Sequence, residues 1–266
     1  MSAKYSLESD LKLALELSAI ADEITMARYL AQDLVVTTKP DNTPVTDADR
    51  ATEDALRKHL AIMRPEDGLV GEEFGNENKE AARYWVIDPI DGTKNFMRGV
   101  PTWATLIGLV ERQSDGSEKV IVGVVSSPAL FRRWYASVGN GAFTVSNNGS
   151  PRRISVSKVS ELSNASIAYS DFQGWGDRLT RIQKLMADCM RSRGYGDFWS
   201  HMLVAEGAVD IAAEPSLALW DMAALDVIVR EAGGTFSNLT GEVGPFGGSG
   251  ISSNTLLHST VMAALN

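Results

Sequence analysis

One cysteine, Cys189, is all that the 266-residue chain contains. No intramolecular disulfide can form, which fits a reducing compartment. No nucleophile signature surrounds Cys189, so it reads as a buried helix thiol. Histidine is almost as scarce. His59, His201 and His258 are the only three, too few for a histidine-rich metal site or a phosphohistidine enzyme. His59 and His258 read as surface residues and His201 as a packing residue. No apolar run approaches the roughly 18 residues that span a bilayer. No basic stretch followed by an apolar one stands at the N-terminus, so no secretory signal is expected and the cytoplasm is the default. Basic residues are in deficit, with 25 Lys and Arg against 34 Asp and Glu and a formal net charge of −9. That balance argues against nucleic acid or a membrane surface as a partner. An anionic small substrate would need local help from metals or a few cations.

What is present is an ordinary globular composition, 44% apolar and 22% charged, with enough chain to bury a large core. Leu7, Leu11, Ala14 and Leu15 predict an amphipathic first helix running to about Leu30. Lys39-Pro40-Asp41-Asn42-Thr43-Pro44 is a turn-rich loop. Thr46 and Asp47 are N-cap types before a second helix over Ala51 to Met63. Strands are expected at Leu69-Val70, Trp103 to Val110 and Val120 to Ser126, then a hairpin of Trp134 to Ser137 and Ala142 to Val145 about Gly139-Asn140-Gly141. Composition shifts at Ser146 to Pro151, a lobe boundary. Beyond it strands and helices alternate. A strand is expected at Ser166 to Tyr169, helices at Asp177 to Arg191 and His201 to Gly207, a strand at Val209 to Ala213, and a helix at Asp221 to Ala232. The pattern calls for a mixed or parallel sheet with packed helices.

The most informative stretch is Trp85-Val86-Ile87-Asp88-Pro89-Ile90-Asp91-Gly92-Thr93. A buried strand ends in two carboxylates, and Pro89 forces a turn there. Two acids so close repel unless a cation lies between them. Carboxylate oxygens with a backbone carbonyl are what a hard cation such as Mg²⁺ takes. The amides of Gly92 and Thr93 open the next segment, where free N–H groups receive anions. Asp47, Glu72 and Asp221 also stand where apolar segments meet turns or helix starts. Asp47 and Asp221 read equally as N-caps and Glu72-Glu73 as a solvated loop. The Asp-x-Asp at Asp47 and Asp49 does not follow an apolar strand, and Ala51 stands where an aspartyl-phosphate enzyme has Thr or Val.

Gly71-Glu72-Glu73, Asp88 to Thr93, and Trp220-Asp221 with Ala223-Ala224 resemble the inositol monophosphatase family. The resemblance extends from the first helix through Glu231-Ala232-Gly233-Gly234 to Ser253-Asn254. It implies an α/β fold, a layered α+β sandwich of the fructose-1,6-bisphosphatase-like αβαβα type. Residues 1–146 would form an N-terminal α+β lobe and 147–266 a C-terminal α/β lobe, together one structural unit. It implies a Mg²⁺-dependent phosphomonoesterase binding two to three ions, with Mn²⁺ able to substitute. Glu72, Asp88 and the Ile90 carbonyl would hold the first metal, and Asp88, Asp91 and Asp221 the second. A third metal would share Glu72. Asp47 and Thr93 would hold and deprotonate the attacking water. Gly92 and Thr93 would bind phosphate, and Lys39 would lie in a loop over the site. A homodimer is expected.

Arg193-Gly194-Tyr195-Gly196-Asp197-Phe198, with Leu203 to Gly207 and Asp210 to Pro215, is similar to the family's histidinol-phosphate phosphatase members. Hydrolysis of L-histidinol phosphate in histidine biosynthesis is then the expected reaction, with Asp197, Glu214 and Tyr195 contacting the leaving group. Two carboxylates and aromatic faces suit a cationic, partly aromatic group. Phe198 and Trp199 read equally well as core. The alternatives are an inositol or sugar phosphate, or a binding protein with a vestigial metal site. No role is assigned to Glu73, Arg98 or Trp103.

Overall fold

Leu13, Ala14, Leu17 and Ala21 share one buried stripe of the first helix, α1 (Leu7–Arg28). A hairpin of β1 (Val36–Thr38) and β2 (Pro44–Thr46) leads into α2 (Asp47–Met63). There follow β3 (Gly68–Gly71), β4 (Gly75–Glu77), β5 (Arg83–Asp91), the short helix α3 (Thr93–Met97), β6 (Ala104–Arg112), β7 (Glu118–Ser127), β8 (Arg132–Ser137), β9 (Gly141–Ser146) and β10 (Arg152–Ile154). The second half comprises β11 (Ser166–Tyr169), α4 (Leu179–Asp188), β12 (Arg191–Gly194), α5 (Asp197–Ala205), β13 (Ile211–Glu214), α6 (Leu219–Glu231), β14 (Gly234–Ser237), β15 (Gly250–Asn254) and α7 (His258–Leu265). This computed structural model describes residues 5–40 and 42–266.

Eight strands form one sheet in the order β10-β9-β8-β7-β6-β5-β3-β4, and five form a second in the order β12-β11-β13-β15-β14. In the first sheet only β3 and β5 run parallel. Its central strands are apolar on both faces because both are covered. Trp85, Ile87, Ile107, Leu109, Val122 and Val124 pack with Leu13, Leu17, Leu56 and Leu60 of α1 and α2. The alternate residues Tyr84, Val86, Leu106 and Val125 pack with Phe198, Met202, Met222 and Ala223 of α5 and α6. The period of two thus sorts each strand between two cores. Across the second sheet, Ile167, Ile211, Ala213 and Ile251 pack with α4 and α7. Ala168 and Ala212, with the opposite facing, pack with Val204 of α5. The layers are therefore α1/α2, first sheet, α5/α6, second sheet, α4/α7, the αβαβα sandwich.

Some expected boundaries move. Pro89 does not end its strand. β5 runs on to Asp91 with a break in register between Asp88 and Asp91, so the missing proline N–H falls where the ladder is already interrupted. The Pro89 carbonyl takes the Thr105 hydroxyl at 2.8 Å. The first sheet extends past Ser146, because β10 pairs with β9. The helix expected from Asp177 to Arg191 ends at Asp188, and Arg191 opens β12, parallel to β11. The helix expected from His201 begins at Asp197.

α6 carries Asp221 in its first turn, and the site's geometry depends on how closely α6 meets the first sheet. Gly108 and Gly123 are paired across β6 and β7. A Cβ on Gly108 would stand 2.9 Å from the Ala223 Cβ, and one on Gly123 2.7 Å from the Ala224 carbonyl oxygen and 2.5 Å from Val227 Cγ1. Glycine is required at both for close approach of helix to sheet, not for backbone freedom. Gly123→Ala should lower stability by about 1–3 kcal/mol, the usual result of overpacking. Denaturant midpoints measure it, and an unchanged midpoint would contradict this account of the helix seat.

Candidate active site

The acids converge at the end of β5. One carboxylate oxygen each from Asp88, Asp91 and Asp221 lies within 4.8 Å of the others. Three backbone amides hold them. Asp88 Oδ1 accepts the Ile90 amide at 2.9 Å across the Pro89 break. Asp221 Oδ2 accepts the Ala218 amide at 2.7 Å at the start of α6, where the helix dipole favours an anion. Asp91 Oδ2 accepts the Phe198 amide at 2.8 Å from the first turn of α5. Asp221, the third residue of α6 and not its N-cap, therefore bonds back to the N-cap amide of Ala218 while belonging to the cluster.

Electrostatics here are unfavourable as they stand. Burial, then the charges of Glu72, Asp91 and Asp221, push the Asp88 carboxyl well above the ordinary range. Asp91 is pushed the same way by burial, then by Asp197 and Asp221. Asp221 is raised to about 7, chiefly by burial. The charges that act on these groups are one another's and those of Glu72, Asp197 and Glu214, and all the donors are oxygens. Such a set fits a hard divalent cation, which replaces repulsion with coordination. Glu72 lies just beyond β3, close enough to act on Asp88 by charge and a side-chain hydrogen bond. The Ile90 carbonyl takes the Thr93 hydroxyl at 3.0 Å. Lys39, from the loop between β1 and β2, reaches Glu72 at 2.7 Å and Glu73 at 2.6 Å.

The expected pairing of Asp47 with Thr93 is corrected by the structure. Asp47 turns away and pairs with Arg28 at 2.7 Å. Asp49 faces inward, with Oδ1 at 3.4 Å from the Thr93 hydroxyl. Its Oδ2 accepts the Thr46 amide at 2.8 Å and hydroxyl at 2.5 Å. Burial, and secondarily the charge of Glu72, raise Asp49 to about 6. Helical spacing carried the signal: Asp49, Thr52, Glu53, Leu56 and Leu60 form the buried face of α2, and Asp47 is not on it. Glu53, fully buried, accepts the amides of Glu73 at 2.7 Å and Phe74 at 3.2 Å and so fixes the loop that carries Glu72.

Asp91, Gly92 and Thr93 line a cavity of about 550 Å³ together with Asp197, Phe198, His201 and Glu214. Gly92 and Thr93 open α3, and their own N–H groups lie ahead of any intrahelical acceptor. Asp197 adopts φ +48°, a left-handed conformation that Asp tolerates better than most residues. Its amide donates to Ser170 Oγ at 3.0 Å and its Oδ2 accepts from Asn95 at 3.0 Å. Burial, then Glu214, raise Asp197 to about 6. Ser170 also donates to Glu214 Oε1 at 2.6 Å, so one hydroxyl ties both acidic segments together. Neither Ser170 nor Asn95 carries a sequence signal beyond its position before a turn.

Tyr195 is a second correction. It packs with Ala168, Val204 and Val209 on the other side of the segment and against Trp199, and its hydroxyl takes a hydrogen bond from Arg191 at 3.1 Å. It does not line the cavity among the described residues. Gly196 reverses the chain, so Tyr195 and Asp197 face opposite ways. Phe198 is both core and cavity wall. Trp103 is core, packed on Phe96 and Tyr29 beneath α3, and Arg98 is exposed.

Comparison with known proteins agrees with this geometry. The sequence profile described as the inositol monophosphatase family matches residues 6–266. A histidinol-phosphatase of Mycobacterium tuberculosis is 54% identical over 97% of this chain and 98% of its own. One from Streptomyces coelicolor is 53% identical over 97% of each. The crystal structure of the extragenic suppressor protein suhB of Bartonella henselae superposes with a TM-score of 0.86 at 30% identity, covering 97% of this chain and 98% of its own.

The raised acids predict how stability responds to pH. An acid whose folded pKa exceeds its unfolded value binds more protons when folded, so it withdraws stability as pH rises through that interval. With Asp49 at about 6 and Asp221 at about 7, the metal-free protein should melt at falling temperatures from about pH 4 to pH 7. A saturating hard divalent cation should raise the melting temperature most near pH 7, and Asp88→Asn or Asp221→Asn should remove most of that rise. A cation-independent melting temperature would contradict the cluster's role.

Proposed function

This chain belongs to the inositol monophosphatase family, and we propose that it hydrolyses L-histidinol phosphate to L-histidinol and phosphate. The observation that carries the reading is the meeting of two acidic groups at one cavity. Asp91 and Asp221 of the cluster line it, and so do Asp197 and Glu214. The first set suits a cation that neutralises a phosphate. The second suits a leaving group that is itself cationic, as an aminoalkyl imidazole is. The two relatives above 50% identity bear the name histidinol-phosphatase.

In this reading Glu72, Asp88, Asp91, Asp221 and the Ile90 carbonyl hold the metal, and Mg²⁺ is the ion, with Mn²⁺ as a substitute, because every donor is a hard oxygen. When bound, the ions neutralise phosphate charge and acidify water. The Thr93 hydroxyl and Asp49 orient the attacking water, and Asp49 accepts its proton. Gly92 and Thr93 receive phosphate oxygens on their amides. The bond from water oxygen to phosphorus forms as the ester P–O bond breaks in line, and the departing alkoxide takes up a proton from a second water. Asp197 and Glu214 bind the amino group and imidazole. Lys39 covers the Glu72 side.

The reading includes a homodimer, a cytoplasmic setting and no nucleic-acid or membrane partner. Exposed Leu30, Met97 and Val100 beside α3 support a covered face. The surplus of acidic residues supports the absence of nucleic acid. No helix among the described residues is long and apolar enough to cross a membrane.

Phosphate release should be fast from L-histidinol phosphate and slow from myo-inositol 1-phosphate, should vanish in EDTA and should return with Mg²⁺. Asp197→Asn should narrow the preference. A preference for inositol phosphate would sink the substrate assignment and leave the phosphatase. Asp49→Asn should lower kcat by about 10²–10⁴-fold, the usual effect of losing a general base. Asp47→Asn should stay within about threefold of wild type, since Asp47 is engaged with Arg28 on the outer face. The reverse order would restore Asp47 as the base.

A further inference from the structure

His201 lies on α5 with 1% of its surface exposed. Its Nδ1 is 2.6 Å from the hydroxyl of Ser252 on β15. Its Nε2 is buried and has no hydrogen-bond partner among the described residues. That nitrogen faces Glu214, with Oε1 at 3.8 Å, and both residues line the cavity. A buried polar atom left unmatched beside a ligand cavity is the kind that calls for explanation.

The neighbours select a tautomer. If Nδ1 carried the proton and donated to Ser252, the lone pair of Nε2 would face a carboxylate. If Ser252 donates to Nδ1, the proton sits on Nε2 and an N–H dipole faces the carboxylate instead. The second arrangement satisfies the buried Ser252 hydroxyl and replaces repulsion with attraction. A histidine held in one tautomer by the partner of its other nitrogen is a common device for orienting a group.

Ser170 and His201 approach the same oxygen of Glu214. Ser170 donates to Oε1 at 2.6 Å, and His201 Nε2 stands 3.8 Å from it, on α5. With both drawn to Oε1, Oε2 keeps its acceptor sites for a ligand. A gap of 3.8 Å is about 1 Å longer than a charge-assisted hydrogen bond, a distance that a small rotation of the carboxylate would close.

We propose that His201, locked in its Nε2–H tautomer by Ser252, is a positioning residue that holds Glu214 toward the cationic leaving group and so sets substrate preference. The inference rests on the reading of Glu214 as a leaving-group contact. His201 touches no reacting atom in this account. It acts on recognition through Glu214, while the cation cluster and Thr93 act on the phosphate.

The test compares L-histidinol phosphate with glycerol 2-phosphate, whose leaving group carries no cation. It uses the metal-loaded enzyme and the variants His201→Phe, His201→Gln, Ser252→Ala and Glu214→Gln. Loss of one hydrogen bond to a charged group is worth about tenfold. His201→Phe should therefore raise KM for L-histidinol phosphate about tenfold more than KM for glycerol 2-phosphate, with the larger part of the effect in KM and not in kcat. His201→Gln, which places an amide N–H near the position of Nε2, should recover most of that selectivity. In a Glu214→Gln background, His201→Phe should add less than about twofold. Ser252→Ala perturbs packing least, and it should shift the same ratio in the same direction, which decides the matter if His201→Phe does not fold. Equal changes on both esters, or losses that multiply with Glu214→Gln, would overturn the inference. A wild-type enzyme with no preference for L-histidinol phosphate would overturn the leaving-group reading and this inference with it. A preference retained in His201→Phe would overturn this inference alone.

Discussion

Asp88, which is buried, and Asp91 and Asp221, which are half-buried, place carboxyl groups within 4.8 Å of one another at the end of a central strand. The rest of the structure depends on holding that arrangement against its own repulsion. The break in register at Pro89 turns Asp88 and Asp91 to one side. The first turn of α6 brings Asp221 to them, and the first turn of α5 gives Asp91 an amide. Each device supplies a backbone dipole to an acid, and none supplies a full positive charge. The remaining requirement is for a cation from outside the chain, and that requirement makes the end of β5 a place where phosphate chemistry can occur.

The five-layer architecture puts this cluster at a meeting point. α5 and α6 lie between the two sheets, and their N-terminal turns reach the same cavity. The first sheet contributes Asp88 and Asp91. The second contributes Ser170 after β11 and Glu214 at the end of β13. In the proposed reading, recognition of the leaving group and handling of the phosphate are built on different sheets and joined through α5, where Asp197 lines the cavity and the next amide holds Asp91. The glycine pair that seats α6 closely on β6 and β7 is part of the same construction, since a shift of α6 moves Asp221.

Much of this was legible in the chain because local patterns carried it. The continuous apolar runs of β5, β6 and β7, the acids around Pro89 and the helix at Trp220 are all local. What was not legible depended on which way a residue faces. Asp47 and Asp49 are both N-terminal acids, and only the apolar positions Leu56 and Leu60 distinguish the inner one. Tyr195 and Asp197 are two residues apart, and the left-handed turn at Gly196 and Asp197 sends them to opposite sides. Ser170, Asn95 and Glu53 bear no motif at all. Their roles exist only through partners 44, 102 and 20 residues away in sequence, which a linear reading cannot pair. Pro89 misled in a simpler way, since a proline is compatible with a central strand where a bulge has already removed the hydrogen bond.

The most direct test of the central claim is a crystal structure of the protein with Mn²⁺, L-histidinol and phosphate, collected at the manganese absorption edge. The account predicts anomalous peaks between Asp88, Asp91 and Asp221, phosphate over Gly92 and Thr93, and the amino group or imidazole of L-histidinol against Asp197 and Glu214. Manganese elsewhere, or L-histidinol bound away from those two carboxylates, would contradict it.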